Sequence, residues 1–302
     1  HSRSFRLPGF RIEPTEPFAV PLNLLDHKQF TWRTRGAHKE STIMKSRLLM
    51  LAAVVAVSTA TAQEAGWFEY EFPGYTDTPL IPGSGFRVHQ QDRPQPPRVV
   101  PPETDASPGG APPSDAMVLF NGASLQQFEE TSWEVADGIL IAGDGNLCTR
   151  ESFGNCQLHV EWRTPNPPED EPVNMGNSGI FFMGLYEVQI YDSYASKIYA
   201  DGSAAAIYGQ TPPLVNVCRK PGAWQSFDIV FTAPVFDKEQ LVEPGWITVL
   251  HNGVLVHNHT RILGPTTHRA VEPYAPHAAA LPLMIQGHGS PVAFRNIWIR
   301  RL

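Results

Sequence analysis

This chain has little sulfur, few positive charges after its first sixty residues and no long apolar run. Three cysteines among 302 residues are too few for a disulfide-stapled scaffold, so burial must hold the fold together. Cys148 and Cys156 could face each other across a hairpin, which would leave Cys218 alone. Basic residues cluster early: residues 1–62 hold 9 basic and 4 acidic side chains, residues 63–302 hold 14 and 26. A surface that acidic repels phosphate backbones and anionic lipid, so neither nucleic acid nor a membrane surface is an expected partner. The apolar run at 48–57 is about half the roughly 20 residues of a spanning helix. No Gly-rich phosphate loop opens a helix, and no G-x-S-x-G or Cys–His pattern offers an acyl-transfer nucleophile.

What is present is a core-forming composition, with 42% hydrophobic and 10% aromatic residues, which excludes wholesale disorder. The first methionine is Met44. Lys45 and Arg47, the short apolar run and Ala60-Thr61-Ala62 ahead of Gln63 read as a secretory signal peptide over 44–62. Residues 1–43 are then expected to be an upstream, mistranslated extension, and the mature protein to be secreted or periplasmic, with no membrane insertion after cleavage. Gln63 is not a cysteine and so gives no support to a lipid anchor. Residues 73–113 carry 11 prolines, which predicts a Pro-rich linker over 63–114. Its aromatic front end, Trp67 to Tyr75, is expected to be a loosely packed tail.

From about Met117 the texture becomes short alternating runs punctuated by turn pairs, without helical period. Asn252-Gly253 supplies a type I′ turn, predicting the pairs His251–Val254, Leu250–Leu255 and Val249–Val256. Further strands are expected at 134–142 around Asp137-Gly138, and at 156–164, 179–191, 224–232, 281–287 and 293–301. The spacing predicts an all-β sandwich over 115–302.

Strand alternation sorts candidate chemistry onto faces. His159, Glu161 and Arg163 share one face, opposite Leu158, Val160 and Trp162. Glu187, Gln189 and Tyr191 share another, opposite Val188 and Ile190. Each polar row suits a solvated sheet face or a groove, and adjacency of the two would favour a groove. Between Asp192 and Gln210 the chain offers Tyr194, Lys197, Tyr199, Asp201 and Tyr208. Aromatic platforms beside amides and charges suit a sugar ring, with its apolar C–H faces and hydroxyl edges. His268 and His288 are flanked by turn-formers and suited to proton transfer. His257 and His259 could share a face as two metal ligands, but no third follows at a standard spacing.

Leu119-Phe-Asn-Gly122, Gly176-Asn-Ser-Gly-Ile-Phe181, Tyr186-Glu-Val-Gln-Ile-Tyr-Asp-Ser193, Lys197-Ile-Tyr-Ala-Asp-Gly202 and Ala206-Ile-Tyr-Gly209 form a series. It continues through Arg219-Lys-Pro-Gly222, Trp224-Gln225, His251-Asn-Gly-Val254, Gly264-Pro-Thr266, His268-Arg269 and Arg295-Asn-Ile-Trp298. In this order the series resembles the 3-keto-disaccharide hydrolase family over about 115–302. The resemblance implies a concanavalin A-like jelly-roll sandwich of two curved antiparallel sheets with a carbohydrate groove. It also implies export, and a substrate whose glucosyl unit is oxidised to a ketone at C3. Relatives often read Gln-Asp-His-Gly-Asn where this chain has Gln286-Gly287-His288-Gly289-Ser290, so a carboxylate is missing at 287.

Glu187, Gln189 and Tyr191 offer one carboxylate in three positions, whereas a retaining glycosidase needs two about 5–5.5 Å apart. A 3-keto sugar needs a base at C2, a holder for the enolate oxygen and an acid for the leaving oxygen. The expected base and acid lie among His268, His288 and Glu187. The expected enolate holder is Lys197, Arg269 or a divalent cation, with no cofactor certain. Glu161, Asn177, Gln189, Asp192, Tyr208, Arg269 and Gln286 are the expected substrate-binding residues. A non-catalytic carbohydrate-binding jelly roll would use the same groove and is the alternative; a structural surface module would show no sugar affinity.

Overall fold

Short alternating stretches closed by turn residues become sixteen strands in a computed structural model that describes residues 72, 74–102, 111–166, 175–194 and 196–302. In chain order they are β1 Met117–Phe120, β2 Glu134–Ala136, β3 Ile139–Ile141, β4 Leu147–Phe153 and β5 Cys156–Arg163. Next come β6 Ser178–Phe182, β7 Tyr186–Ile190, β8 Gln225–Thr232, β9 Val235–Asp237, β10 Gln240–Glu243 and β11 Trp246–His251. The last are β12 Val254–Arg261, β13 Thr266–Thr267, β14 Ala270–Val271, β15 Leu281–Ile285 and β16 Ala293–Arg301.

Two antiparallel sheets form the sandwich. The larger runs β12-β11-β8-β5-β16-β3-β2, with β1 also paired to β16; the smaller runs β4-β15-β6-β7. Their inner faces share one core: Leu158, Val160 and Trp162 from β5 and Phe227, Ile229 and Phe231 from β8 meet Ile180, Phe182, Val188, Ile190 and Ile285. Burying such faces against each other is what drives two amphipathic sheets together. The architecture is the all-β, concanavalin A-like jelly roll.

Local signals and structure differ at several points. Asn252 and Gly253 have φ of 52° and 78° and join β11 to β12, with His251 opposite Val254 and Leu250 opposite Leu255. Val249 then faces His257 rather than Val256, because a bulge shifts the register. The bulge sends His257 inward, its ring nitrogen on the Ala205 carbonyl at 2.9 Å, while His259 stacks on Trp246; the two do not form a shared ligand face. The stretch expected as one strand at 179–191 is the β6–β7 hairpin, turned at Met183 and Gly184 with φ of 57° and 68°. Cys148 and Cys156 lie on strands of different sheets, and all three cysteines are free thiols.

The segment expected as a linker packs against the sandwich. Ile81, Val88 and His89 are buried, and residues 74–93 fold back on themselves through Tyr75 N–H to His89 O (2.8 Å), Gln91 N–H to Tyr75 O (3.1 Å) and Val88 N–H to Pro79 O (3.0 Å). Arg93 and Gln95 donate to the carbonyls of Gln210 and Ile198, and Val99 N–H to Asn216 O. Prolines here shape a strap with internal hydrogen bonds, not a free tether. The expected signal peptide and upstream extension lie outside the described residues.

Candidate active site

β7 has an exposed edge to manage, and the chain covers it with its own loop. Gln189 N–H donates to Ala206 O, and Ala205 N–H to Gln189 O, so residues 203–208 seal the edge and bring Tyr208 over it. On β7, Val188 and Ile190 enter the core while Glu187 and Gln189 face the other way. The register sets Phe181 opposite Glu187 and Gly179 opposite Gln189. The outer face of the small sheet thus becomes the floor of a pocket.

That pocket has a volume of about 440 Å³, within the range of small-molecule sites. Its floor carries Glu187, Gln189, Phe181 and Asn177, its end Gln286 and His288, and its wall Tyr199, Tyr208 and His268; the strap adds Phe72 and Tyr75. Ser178 Oγ donates to Gln286 O at 2.7 Å and Gln286 N–H to Gly179 O at 2.9 Å, which anchors the segment bearing His288. Thr266 Oγ1 accepts from Glu187 N–H at 3.0 Å, tying the His268 loop to β7.

Burial pushes the Glu187 carboxyl well above the ordinary carboxylate range, which favours its protonated form. Gln189 Oε1 is a buried acceptor without a partner among the described residues, on the pocket floor. Asn177 Nδ2 is 3.5 Å from His288 Nδ1. Burial, then the nearby His89 and Arg269, lowers the pKa of His268. Both His268 nitrogens meet phenols: Nδ1 is 3.0 Å from Tyr208 Oη and Nε2 3.3 Å from Tyr75 Oη. Tyr199 Oη completes the row at 2.8 Å from Tyr208 Oη.

Glu187, Gln189, Asn177, Tyr208, His268, Gln286 and His288 are thus gathered in one place. Four expected site residues are not. Glu161 lies on β5 of the other sheet, where Arg295 Nε (2.6 Å), Asn296 Nδ2 (2.8 Å) and His159 occupy its carboxylate; the two polar rows are not adjacent. Asp192 is buried off the pocket, accepting from Tyr194 N–H. Lys197 is exposed outside the lining, and its carbonyl holds Phe72 N–H. Arg269 pairs with Asp77 at 2.8 Å and lies over the Tyr75 ring rather than in the pocket. Among the described residues no group of three or more His, Cys, Asp or Glu side chains is placed to hold a metal ion.

A site of one buried carboxyl, amides, imidazoles and phenols suits proton transfer on a polar, hydroxylated ligand. The model of the 3-keto-alpha-glucoside-1,2-lyase-like domain matches residues 115–300. The chain belongs to this family. A candidate glycosyl hydrolase from Parabacteroides distasonis has a similar structure at 39% identity and a TM-score of 0.62, over 74% of this chain and 100% of that one. Another candidate glycosyl hydrolase of the same organism is similar at 23% identity and a TM-score of 0.49, over 62% of this chain and 99% of that one. A comparison with curated proteins finds no match. This lyase-like domain is therefore a carbohydrate-active enzyme of glycosidase or lyase type.

Its missing carboxylate has a local cause. A Cβ at Gly287 would run into the main-chain oxygens of Gly143 and Gly145. Trp133 Nε1 holds Gly145 O at 3.0 Å, and Gly287 N–H donates to Asn146, so the 143–146 loop occupies the space a side chain would take. The strap, outside the matched span, is what sequence reasoning missed. A signal existed in Tyr75 and His89, but proline density masked it.

Proposed function

We propose that this chain is an exported enzyme that cleaves the glycosidic bond of 3-keto-glucosides or 3-keto-disaccharides by C2 proton abstraction, elimination and hydration. The observation that carries this reading is the pocket's single carboxyl group: among the described residues Glu187 is the one acidic side chain in the lining, and burial favours its protonated form. Displacement at C1 by paired carboxylates needs a second acid about 5–9.5 Å away. A ketone at C3 removes that need, because it acidifies the C2 proton.

In this mechanism His288 takes the C2 proton, and Glu187 gives its proton to the departing C1 oxygen. The products of this half are the free alcohol and a 2-hydroxy-3-keto-glycal. Glu187, now a carboxylate, takes a proton from water as its oxygen adds to C1, and His288 returns a proton to C2. The net reaction is hydrolysis. Gln189, Asn177 and Gln286 bind hydroxyls. Each positioned acid or base contributes about 10²–10⁴ in rate. Export rests on the pattern of residues 44–62, whose removal would leave Gln63 first.

The test is a paired assay on a 3-keto glucoside and its parent glucoside, with and without a chelator, following the glycal by NMR. Cleavage of the keto sugar alone, with the glycal seen on the way, is the expected result. Equal turnover of both sugars would overturn it.

A further inference from the structure

The elimination chemistry needs a group to hold negative charge on the C3 oxygen as the C2 proton leaves. Lys197 and Arg269, the cations the sequence offers, both lie outside the pocket lining. We propose that the strap supplies this group: the Tyr75 hydroxyl donates the hydrogen bond that stabilises the enolate, making residues 74–93 part of the active site although they precede the family-matched span. The inference rests on the 3-keto reading above.

The direction of the hydroxyl row carries it. A neutral imidazole has one N–H, so the row Tyr199–Tyr208–His268–Tyr75 can run two ways. Were Nδ1 protonated, Tyr208 would have to donate to Tyr199. The Tyr199 hydroxyl, whose partner among the described residues is Tyr208, would then hold a proton with no acceptor. Buried donors are rarely left so. In the opposite direction every proton but one is used: Tyr199 donates to Tyr208, Tyr208 to His268 Nδ1, and His268 Nε2–H to Tyr75. The Tyr75 O–H is the one left over; both phenols line the pocket, but Tyr199 is buried whereas Tyr75 is partly exposed to the space a ligand would fill. Each bond polarises the next and strengthens the last donor. The Arg269 guanidinium 4.2 Å from the Tyr75 ring centroid favours negative charge there too.

The hydroxyl is also held in place. Tyr75 packs edge-on to Phe72 and lies 6.2 Å, centroid to centroid, from Tyr199. Its backbone is tied to His89 and Gln91. His89 is fixed by Asp201 through its N–H (2.9 Å) and Nδ1 (3.3 Å), both side chains fully buried. A donor fixed before the reaction does not reorganise during it, which is the condition for effective oxyanion stabilisation. No proton is transferred to or from Tyr75: the C2–H electrons move into the enolate, and as the C1–O bond breaks the charge leaves the C3 oxygen.

The experiment compares the full chain, its Tyr75→Phe variant and the chain with 3-fluorotyrosine at position 75, measuring kcat, KM and the melting midpoint. Tyr75→Phe is expected to lower kcat by about 10²–10³ with KM changed less than about threefold, and fluorotyrosine, a stronger donor of nearly the same shape, to restore turnover. A Tyr75→Phe enzyme within about threefold of the parent kcat overturns the role, as does a fluorotyrosine enzyme as slow as the Phe variant. Should Tyr75→Phe melt early, the fluorotyrosine enzyme decides, and a kcat below about one tenth of the parent's overturns the proposal. A parent that cleaves keto and parent sugars alike overturns the 3-keto reading itself. A discriminating parent with an active Phe variant overturns Tyr75 alone.

Discussion

The carboxyl group of Glu187 on β7 lies over Gly179 on β6, in the space that a side chain at 179 would fill. The two residues are diagonal neighbours on the pocket face, and Gly179 has a backbone conformation open to any residue. Its lack of a Cβ serves Glu187, not the turn.

Gly179→Ala is expected to push the carboxyl aside and lower kcat on a 3-keto glucoside by about 10²-fold, the usual cost of misplacing a reacting group by about 1 Å. Glu187→Gln should lose about 10²–10⁴ and also flatten the pH profile. Because burial raises the Glu187 pKa, the active acid form persists to higher pH than that of an ordinary carboxyl and is lost as pH rises through that raised value. The parent therefore shows an alkaline decline that the Gln variant lacks. Stopped assays across pH check both, and an unchanged alkaline limb in Glu187→Gln would exclude Glu187 as the acid.

On the outer face of the large sheet, His159 Nδ1 sits 2.7 Å from Asp228 Oδ1, with Glu161 on the other side. Burial alone would lower the His159 pKa, but hydrogen bonds to Asp228 and Glu161 overcome it and raise the value to about 9. A raised folded-state pKa means stability that is whole below 6.5, the ordinary value, and lost as pH climbs towards about 9. Urea unfolding across that window should show the parent losing up to about 1.4 kcal/mol per pH unit. His159→Gln is expected to show a shallower slope; equal slopes would refute the assignment.

Gly287→Asp restores the residue common among relatives, yet the carbonyls of Gly143 and Gly145 stand where its Cβ must go. The carboxylate would also face those oxygens. The expected outcome is a loss of about 1–3 kcal/mol in stability, as for other overpacked sites, with no gain in turnover. A Gly287→Asp protein as stable as the parent, in urea melts, would show that the loop moves away freely.

Strand alternation was enough to place Glu187 and Gln189 together, because side chains on a strand change face every residue wherever the strand lies. The Asn252-Gly253 turn was legible for the same reason: its two positive φ angles are a local requirement. Neither signal could tell that β5 and β7 lie in different sheets. His159-Val-Glu161 and Glu187-Val-Gln189 have the same pattern, and only long-range pairing gives one to the pocket and the other to a salt-bridged outer face. The bulge that turns His257 inward is likewise set by packing rather than by the turn.

The order of residues alone determined the all-β class, the Asp137-Gly138 and Asn252-Gly253 turns and the family, since these rest on local periodicity and on motifs spread along 115–302. Tertiary structure alone decided that the proline-rich strap lines the pocket, that Asp201 reaches back across the chain to hold His89, and that His268 lies between two phenols. Those are meetings of residues up to nearly two hundred positions apart in sequence, such as Tyr75 with His268. Their geometry depends on where two packed sheets leave room, which no stretch of chain encodes by itself.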